Sequence, residues 1–351
     1  MEKITLGRSG LVVPRNGFGA LPIQRISEAD AVRLVRRAFD GGMYYFDTAR
    51  FYTDSESKLG AAFRFGEPDA YARRSDVVIS TKTGATTVEG FWKDLHTSLR
   101  DLRTDYVDLY QFHNLPFCPK PGMAEGTEGA GLYEAMLEAR QQGKVRHIGI
   151  TNHRQRVAIE AIDSGLYETL QYPFSYLASE ADHDIVRRTL DVGMGFICMK
   201  GLSGGLISHS DVAYAWLAQY DVAPIWGIQK ETELDEWLSY QDNPPRLTDE
   251  MCAVIEKDRR DLSGNFCRGC GYCQPCPAGI QIQDCNRMSL FLRRAPHSVY
   301  LTESWYREMM KIDGCLHCNH CVKHCPYGLD TPNLLVRNKE DFLTFWHNRQ
   351  K

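Results

Sequence analysis

Between residues 17 and 240 the chain alternates short apolar runs with longer amphipathic stretches, and eight such runs are present. They are 17–21 (GFGAL), 43–47 (MYYFD), 76–82 (DVVISTK), 106–113 (YVDLYQFH), 145–152 (VRHIGITN), 168–172 (ETLQY), 195–200 (GFICMK) and 222–227 (VAPIWG). Runs this continuously apolar read as strands buried on both faces, the signature of a parallel sheet. The stretches between them carry helical spacing. Over 28–40, Ala31, Leu34, Val35 and Ala38 recur at steps of three and four, and Gly41-Gly42 supplies the stop. Eight strands separated by helices predict an α/β fold, a (β/α)8 barrel. The opening stretch 4–14 reads as a hairpin turning at residues 8–10, expected to close one end of that barrel.

A barrel of this kind gathers the C-terminal ends of its strands around one mouth. The predicted strands end in polar residues: Asp47, Lys82, His113, Thr151-Asn152 and Gln171. One polar strand end is an ordinary cap; five in succession predict a polar site. The Pro- and Gly-rich stretch 115–131 follows the fourth strand and is long for its position, as loops covering a site often are.

These residues also carry a resemblance to the aldo-keto reductase family. Asp47-Thr48-Ala49-Arg50-Phe51-Tyr52 resembles its D-x-A-x-x-Y motif, Lys82 its strand-end lysine and His113 its strand-end histidine. SExxLG at 55–60 and GITN at 149–152 extend the match, which covers roughly the first 240 residues. The resemblance implies carbonyl reduction or alcohol oxidation. Tyr52 would exchange the proton, Lys82 would lower the phenol's pKa from its free value of about 10, and Asp47 would hold Lys82. His113 would orient the substrate oxygen; relatives with Glu in its place tend to reduce activated C=C bonds. Taken singly, Asp47 could cap a helix, Tyr52 pack half-buried, Lys82 face solvent and His113 be a satisfied core histidine. Four together at family spacing favour catalysis.

The resemblance further implies NAD or NADP as cofactor. Thr151, Asn152 and Gln171 would bind the nicotinamide carboxamide. Met199 would face the ring where many relatives place an aromatic residue. Lys200 would reach the pyrophosphate, with Gly201, Gly204 and Gly205 permitting close backbone approach, and Leu202 is a further cofactor-binding position in that segment. Gly19 and Ala20 at the first strand end complete the set, with Gly227, Lys230 and Glu233 at the adenosine end. Glu233 tilts the choice toward NAD, since a carboxylate repels a 2′-phosphate, while Lys230 pulls the other way. Alternatively, Glu233 is a favourable charge in a helix's first turn.

Residues 241–248 (QDNPPRLT) read as a linker between a barrel domain at 1–245 and a C-terminal domain at 246–351. Eight of the 12 cysteines fall there in two runs. The first is Cys267-x2-Cys270-x2-Cys273-x2-Cys276-Pro277. The second, Cys315-x2-Cys318-x2-Cys321-x3-Cys325-Pro326, is the bacterial ferredoxin pattern for a [4Fe–4S] cluster. Two clusters are expected in a mainly helical, ferredoxin-like domain. In two-cluster ferredoxins the Cys-Pro cysteine serves the other cluster. By that rule Cys267, Cys270, Cys273 and Cys325 hold one cluster, and Cys315, Cys318, Cys321 and Cys276 the other. The x2 spacing before Cys276 leaves open that it closes its own cluster. Zinc fits the eight cysteines poorly. Cys252 and Cys285 read as ordinary thiols, and His317, His320 and His324 as neighbours of the ligands. A subset of bacterial and archaeal aldo-keto reductases carries such a dicluster domain, and the chain resembles that subset along nearly its whole length.

The net charge of -4 gives no sign of a nucleic-acid partner. No apolar run reaches the ~18 residues of a membrane span, and the opening lacks the apolar core of a signal peptide. A cytoplasmic location is expected, with a small carbonyl or alcohol as substrate. Clusters pass single electrons whereas nicotinamide passes hydride, and no flavin motif is evident to join them. The clusters are therefore structural, or serve an electron-transfer partner or a short-lived radical step. The alternative reading is a redox-sensing or electron-transfer subunit in which the barrel binds nicotinamide without turnover.

Overall fold

The computed structural model describes residues 2–262, 266–294 and 297–349. It divides into two compact units, residues 1–201 with 211–248, and residues 202–210 with 249–351.

The first unit opens with an antiparallel pair, β1 (Lys3–Thr5) and β2 (Val12–Pro14). Eight strands follow: β3 (Gly17–Gly19), β4 (Tyr45–Asp47), β5 (Val78–Thr83), β6 (Val107–His113), β7 (Val145–Thr151), β8 (Thr169–Pro173), β9 (Gly195–Met199) and β10 (Ala223–Gly227). All pair in parallel, and β10 closes on β3 to complete a barrel. These are the eight runs read from the sequence. The helix Glu28–Asp40 buries Ala31, Leu34, Val35 and Ala38, and Ser27 caps it by accepting from the Asp30 amide.

The β1–β2 hairpin plugs the N-terminal end of the barrel. Ile4, Leu6 and Val13 form one buried cluster with Tyr45, Leu109, Ile197, Ala223 and Ile225 from the strands. Ile4, Leu6 and Val13 each contribute roughly 1.5–3 kcal/mol through this burial. Gly7 is required there. Its φ is +49°, and a Cβ would lie 2.4 Å from the Gly193 carbonyl oxygen, so any side chain would lift the hairpin off the barrel.

Because strand side chains alternate, positions two apart face the same way. Leu109, Gln111 and His113 therefore climb one side of the interior from apolar plug to polar rim; Tyr45 and Asp47 do the same on β4.

The second unit is built from helices, among them Asp249–Leu262, Met288–Arg294, Glu303–Met310 and Thr331–Asn348. Its core holds Ile280, Ile282, Met288, Leu292, Met309, Ile312, Leu335, Phe342 and Trp346, with Cys273, Cys285 and Cys321 among them. Among the described residues, no helix is long and apolar enough to cross a membrane.

Candidate active site and cysteine cavities

The barrel register sets the site. Asp47 pairs across with Ser80, Lys82 with Gln111, and His113 with Thr151, which in turn pairs with Gln171. Neighbouring strands thus deliver polar side chains at similar heights near the C-terminal rim.

Lys82 and Asp47 form an ion pair, Nζ to Oδ1 2.5 Å, with side chains only 1% and 2% exposed. Burying two charges costs several kcal/mol each unless further hydrogen bonds compensate. Both residues have them. Lys82 Nζ also donates to the Thr48 carbonyl at 2.7 Å, and Ser80 Oγ donates to Asp47 Oδ2 at 2.6 Å. Burial lowers the Lys82 pKa, while Asp47 and then Glu56 oppose the shift.

Tyr52 lies beside this pair. Lys82 Nζ is 5.2 Å from the centroid of its ring, and the His113 ring meets it edge-on at 5.8 Å and 85°. Burial, then the Lys82 charge, pushes His113 down to about 3, so its imidazole is neutral at ordinary pH. His113 Nδ1 is buried with no hydrogen-bond partner among the described residues.

The SExxLG stretch pins the loop that presents Tyr52. Ser55 Oγ donates to the Ala20 carbonyl at 2.8 Å. Glu56, fully buried, accepts from Thr81 Oγ1 at 2.5 Å and pairs with Arg50, which also reaches Asp101 at 2.9 Å. Lys58 Nζ donates to the carbonyls of Ile23 and Ile26.

Two residues that the sequence reading missed belong to the same network. Gln111 Nε2 donates to Gln171 Oε1 at 2.8 Å, and Gln171 Nε2 approaches Asp47 Oδ1 at 3.4 Å. Ser80 is the other. Both sit two positions before a named residue, Gln111 before His113 and Ser80 before Lys82, so the period of two would have found them.

The expected cofactor contacts are unevenly placed. Thr151 Oγ1 is 4.0 Å from Met199 Sδ, at the ends of β7 and β9. Asn152 is buried and engaged: Nδ2 donates to the Leu115 carbonyl at 2.8 Å, and Oδ1 accepts from the amides of His153 and Arg154, both at 2.9 Å. It ties the root of the 115–131 loop to the end of β7. Glu233 accepts from the amides of Gln229 (2.9 Å) and Lys230 (3.1 Å), capping the helix Glu231–Asp242. Gly19 and Gly227 pair across the barrel seam, and a Cβ on Gly19 would meet the Trp226 carbonyl oxygen at 3.0 Å. Ala20 is buried beside Gly19 and donates its amide to the Asp47 carbonyl. Lys200 has a left-handed backbone, φ +58°. Gly201 ends the barrel stretch; Leu202, Gly204 and Gly205 belong to the second unit.

In that unit two small cavities are each lined by four cysteines. Cys276, Cys315, Cys318 and Cys321 line one; Cys267, Cys270, Cys273 and Cys325 line the other. Ile282 lines both. The two runs share a backbone device. Gly269 and Gly271 have φ +63° and +81°, and His317 and Asn319, at equivalent places, +48° and +57°. These left-handed turns curl each run around its cavity, and the Gly269 amide donates to Cys267 Sγ at 3.4 Å. Among the described residues, no three His, Cys, Asp or Glu groups converge as ligands of a single metal ion. Cys252 is exposed on its helix and Cys285 is buried in the core.

Comparison with known proteins adds an independent view. Residues 15–211 match the model of the aldo/keto reductase family, and residues 266–329 that of the 4Fe-4S dicluster domain. The chain is 31% identical to L-galactose dehydrogenase of Arabidopsis thaliana over 226 residues, spanning 60% of this chain and 68% of that protein. It is 30% identical over 235 residues to the uncharacterized oxidoreductase YrpG of Bacillus subtilis, spanning 59% and 68%. Among solved structures, the thermostable aldo-keto reductase Tm1743 superposes with TM-score 0.58 at 22% identity, over 74% of this chain and 100% of that one, a likeness of fold. The barrel, the matched stretch and the relatives agree: this chain belongs to the aldo/keto reductase family and carries a 4Fe-4S dicluster domain beyond its barrel.

Proposed function

We propose that the protein is a nicotinamide-dependent oxidoreductase interconverting a small carbonyl compound and its alcohol, with Tyr52 as the proton donor and acceptor. The observation that carries this is the buried Lys82–Asp47 pair set against the Tyr52 ring, with neutral His113 on its edge. A bound nicotinamide would supply the hydride. The chain's own residues handle the proton. A cation beside a phenol favours the phenolate and brings its proton affinity toward the working range. Asp47 keeps Lys82 charged against the pull of burial and fixes its direction. A neutral imidazole can donate one hydrogen bond to a substrate oxygen without competing for the proton.

The residues present fit a cofactor at the rim in part. Thr151 and Met199 end β7 and β9, Lys200 follows Met199, and Gln171 on β8 approaches Asp47, whereas Asn152 holds the 115–131 loop and Glu233 caps a helix. The capping role removes the reason to prefer NAD over NADP, so either is proposed. Four thiols around each cavity fit two [4Fe–4S] clusters, held by Cys267, Cys270, Cys273 and Cys325, and by Cys276, Cys315, Cys318 and Cys321. An electron-transfer protein is the partner such clusters would serve. Similarity to a protein named L-galactose dehydrogenase makes sugars and polyols the first compounds to screen.

The test is Tyr52→Phe, assayed anaerobically by nicotinamide absorbance. Turnover is expected to fall by about 10²–10⁴, with cofactor affinity within threefold of the wild type. Retained turnover overturns the role of Tyr52. Cofactor binding without turnover of any aldehyde, ketone or alcohol by the wild type points instead to a sensor.

A further inference from the structure

The chain changes allegiance at one peptide bond. Gly201 packs in the barrel unit, where a Cβ would lie 2.6 Å from the Trp226 ring. From Leu202 to Ser210 the chain packs with the second unit. Arg287 holds it there, donating from Nη2 to the Gly204 carbonyl. Gly204 has φ +67°, and a Cβ on it would stand 3.0 Å from the carbonyl oxygen of Arg268. Arg268 and Gly269 are the two residues between Cys267 and Cys270, and a Cβ on Gly269 would meet Arg287 Nη1 at 2.5 Å. Arg287 is therefore wedged between the first cysteine turn and the Leu202–Ser210 segment. It is 8% exposed, lies over the Phe291 ring at 4.7 Å, and its Nε has no hydrogen-bond partner among the described residues. A desolvated guanidinium gripping one carbonyl is a costly arrangement, stable only while both walls stay in place.

We propose that a cluster held by Cys267, Cys270, Cys273 and Cys325 acts through Arg287 to fix the Leu202–Ser210 segment, and thereby sets the affinity of the adjoining strand end, Met199–Gly201, for nicotinamide cofactor. The proposal rests on the cofactor reading above. Two thiolate bonds, from Cys267 and Cys270, would immobilise the turn that carries Arg268 and Gly269. Loss of the cluster frees the turn, then Arg287, then the segment. Leu202 follows Gly201 directly, so a free segment leaves Met199–Gly201 anchored at one end only, and ordering it becomes part of the cost of binding cofactor. Arg287 is a positioning residue. Linkage is reciprocal, so bound cofactor must raise the affinity for the cluster by the same factor.

The test uses the full chain, anaerobically purified, with iron and sulfide counted. Dissociation constants for NADH and NADPH are measured by fluorescence on loaded wild type, chelated wild type and loaded Arg287→Met. Amide exchange over 202–210 is followed in each. The expected result is binding about tenfold weaker in the chelated protein and in loaded Arg287→Met, with faster exchange over 202–210 in both. Loaded Arg287→Met that matches wild type in affinity and exchange overturns the coupling, whatever chelation does to folding. Absence of cofactor binding by loaded wild type overturns the cofactor reading, and the coupling with it.

Discussion

Cys276 and Cys325, the closing cysteines of the two runs, exchange cavities. Cys276 lies with Cys315, Cys318 and Cys321, and Cys325 with Cys267, Cys270 and Cys273. The exchange laces the runs together across the 38 residues that separate Cys276 from Cys315, with Ile282 as a common apolar wall. Each cavity thus needs a thiol from a distant stretch of chain.

The exchange yields a prediction that separates it from self-closure. A Cys267→Ser, Cys270→Ser, Cys273→Ser triple variant is expected to keep about half the wild-type iron, one [4Fe–4S] cluster of two. Adding Cys276→Ser to that triple should remove the rest. If Cys276 closed its own run, the fourth substitution would change nothing, and iron and sulfide analysis distinguishes the outcomes directly.

The Lys82–Asp47 pair gives a second prediction. Removing one partner of a buried pair leaves an uncompensated charge and costs about 3–5 kcal/mol. Asp47→Asn should therefore lower the thermal midpoint sharply, and Lys82→Met likewise. The Asp47→Asn, Lys82→Met double variant should be more stable than either single one, because no charge is left stranded. A double variant whose loss equals the sum of the singles would show that the two groups are not coupled.

Much of this candidate site was legible in the sequence because of what a strand buried on both faces looks like. Its apolar continuity marks the strand, and the residue that breaks the continuity marks the rim; Asp47, Lys82, His113 and Gln171 all announce themselves in that way. Ser80 and Gln111 do not, because a polar residue inside an apolar run reads as noise until alternation assigns it a face. Nor does spacing reveal that Asn152 and Glu233 already hold backbone groups. The allegiance of Leu202–Ser210 was hidden for a different reason. Arg287, some eighty residues away, donates to the Gly204 carbonyl, and no local pattern records so distant a contact.

His113 carries a pH prediction. Its pKa falls from an unfolded value of about 6.5 to about 3, through burial first and the Lys82 charge second. As pH drops below 6.5 the unfolded chain takes up the proton before the folded one. The stability this group supplies is complete above 6.5 and is lost progressively as pH falls toward 3. Urea midpoints at pH 7 and pH 5 should therefore drop further in wild type than in His113→Asn. Equal drops would mean that His113 titrates normally in the fold. Cluster lability in acid affects both proteins alike, so the difference isolates the imidazole.

The left-handed turns within the cysteine runs give opposite expectations at matched positions. His317 stands at φ +48° where the first run has Gly269 at φ +63°. A side chain in that region costs roughly 1–2 kcal/mol, and glycine's extra freedom in the unfolded chain costs about 0.5–1. His317→Gly should be neutral or stabilising by up to about 1 kcal/mol, and should keep all the iron, since four thiols already line the cavity. Gly269→Ala should do the reverse. Its new methyl would enter a left-handed position and press on the Arg287 guanidinium, 2.5 Å away. Iron should then leave faster under chelation. Release half-times for both variants against wild type check the pair. Loss of iron from His317→Gly would make that histidine a ligand, and unchanged release from Gly269→Ala would show that the first turn has more room than its geometry allows.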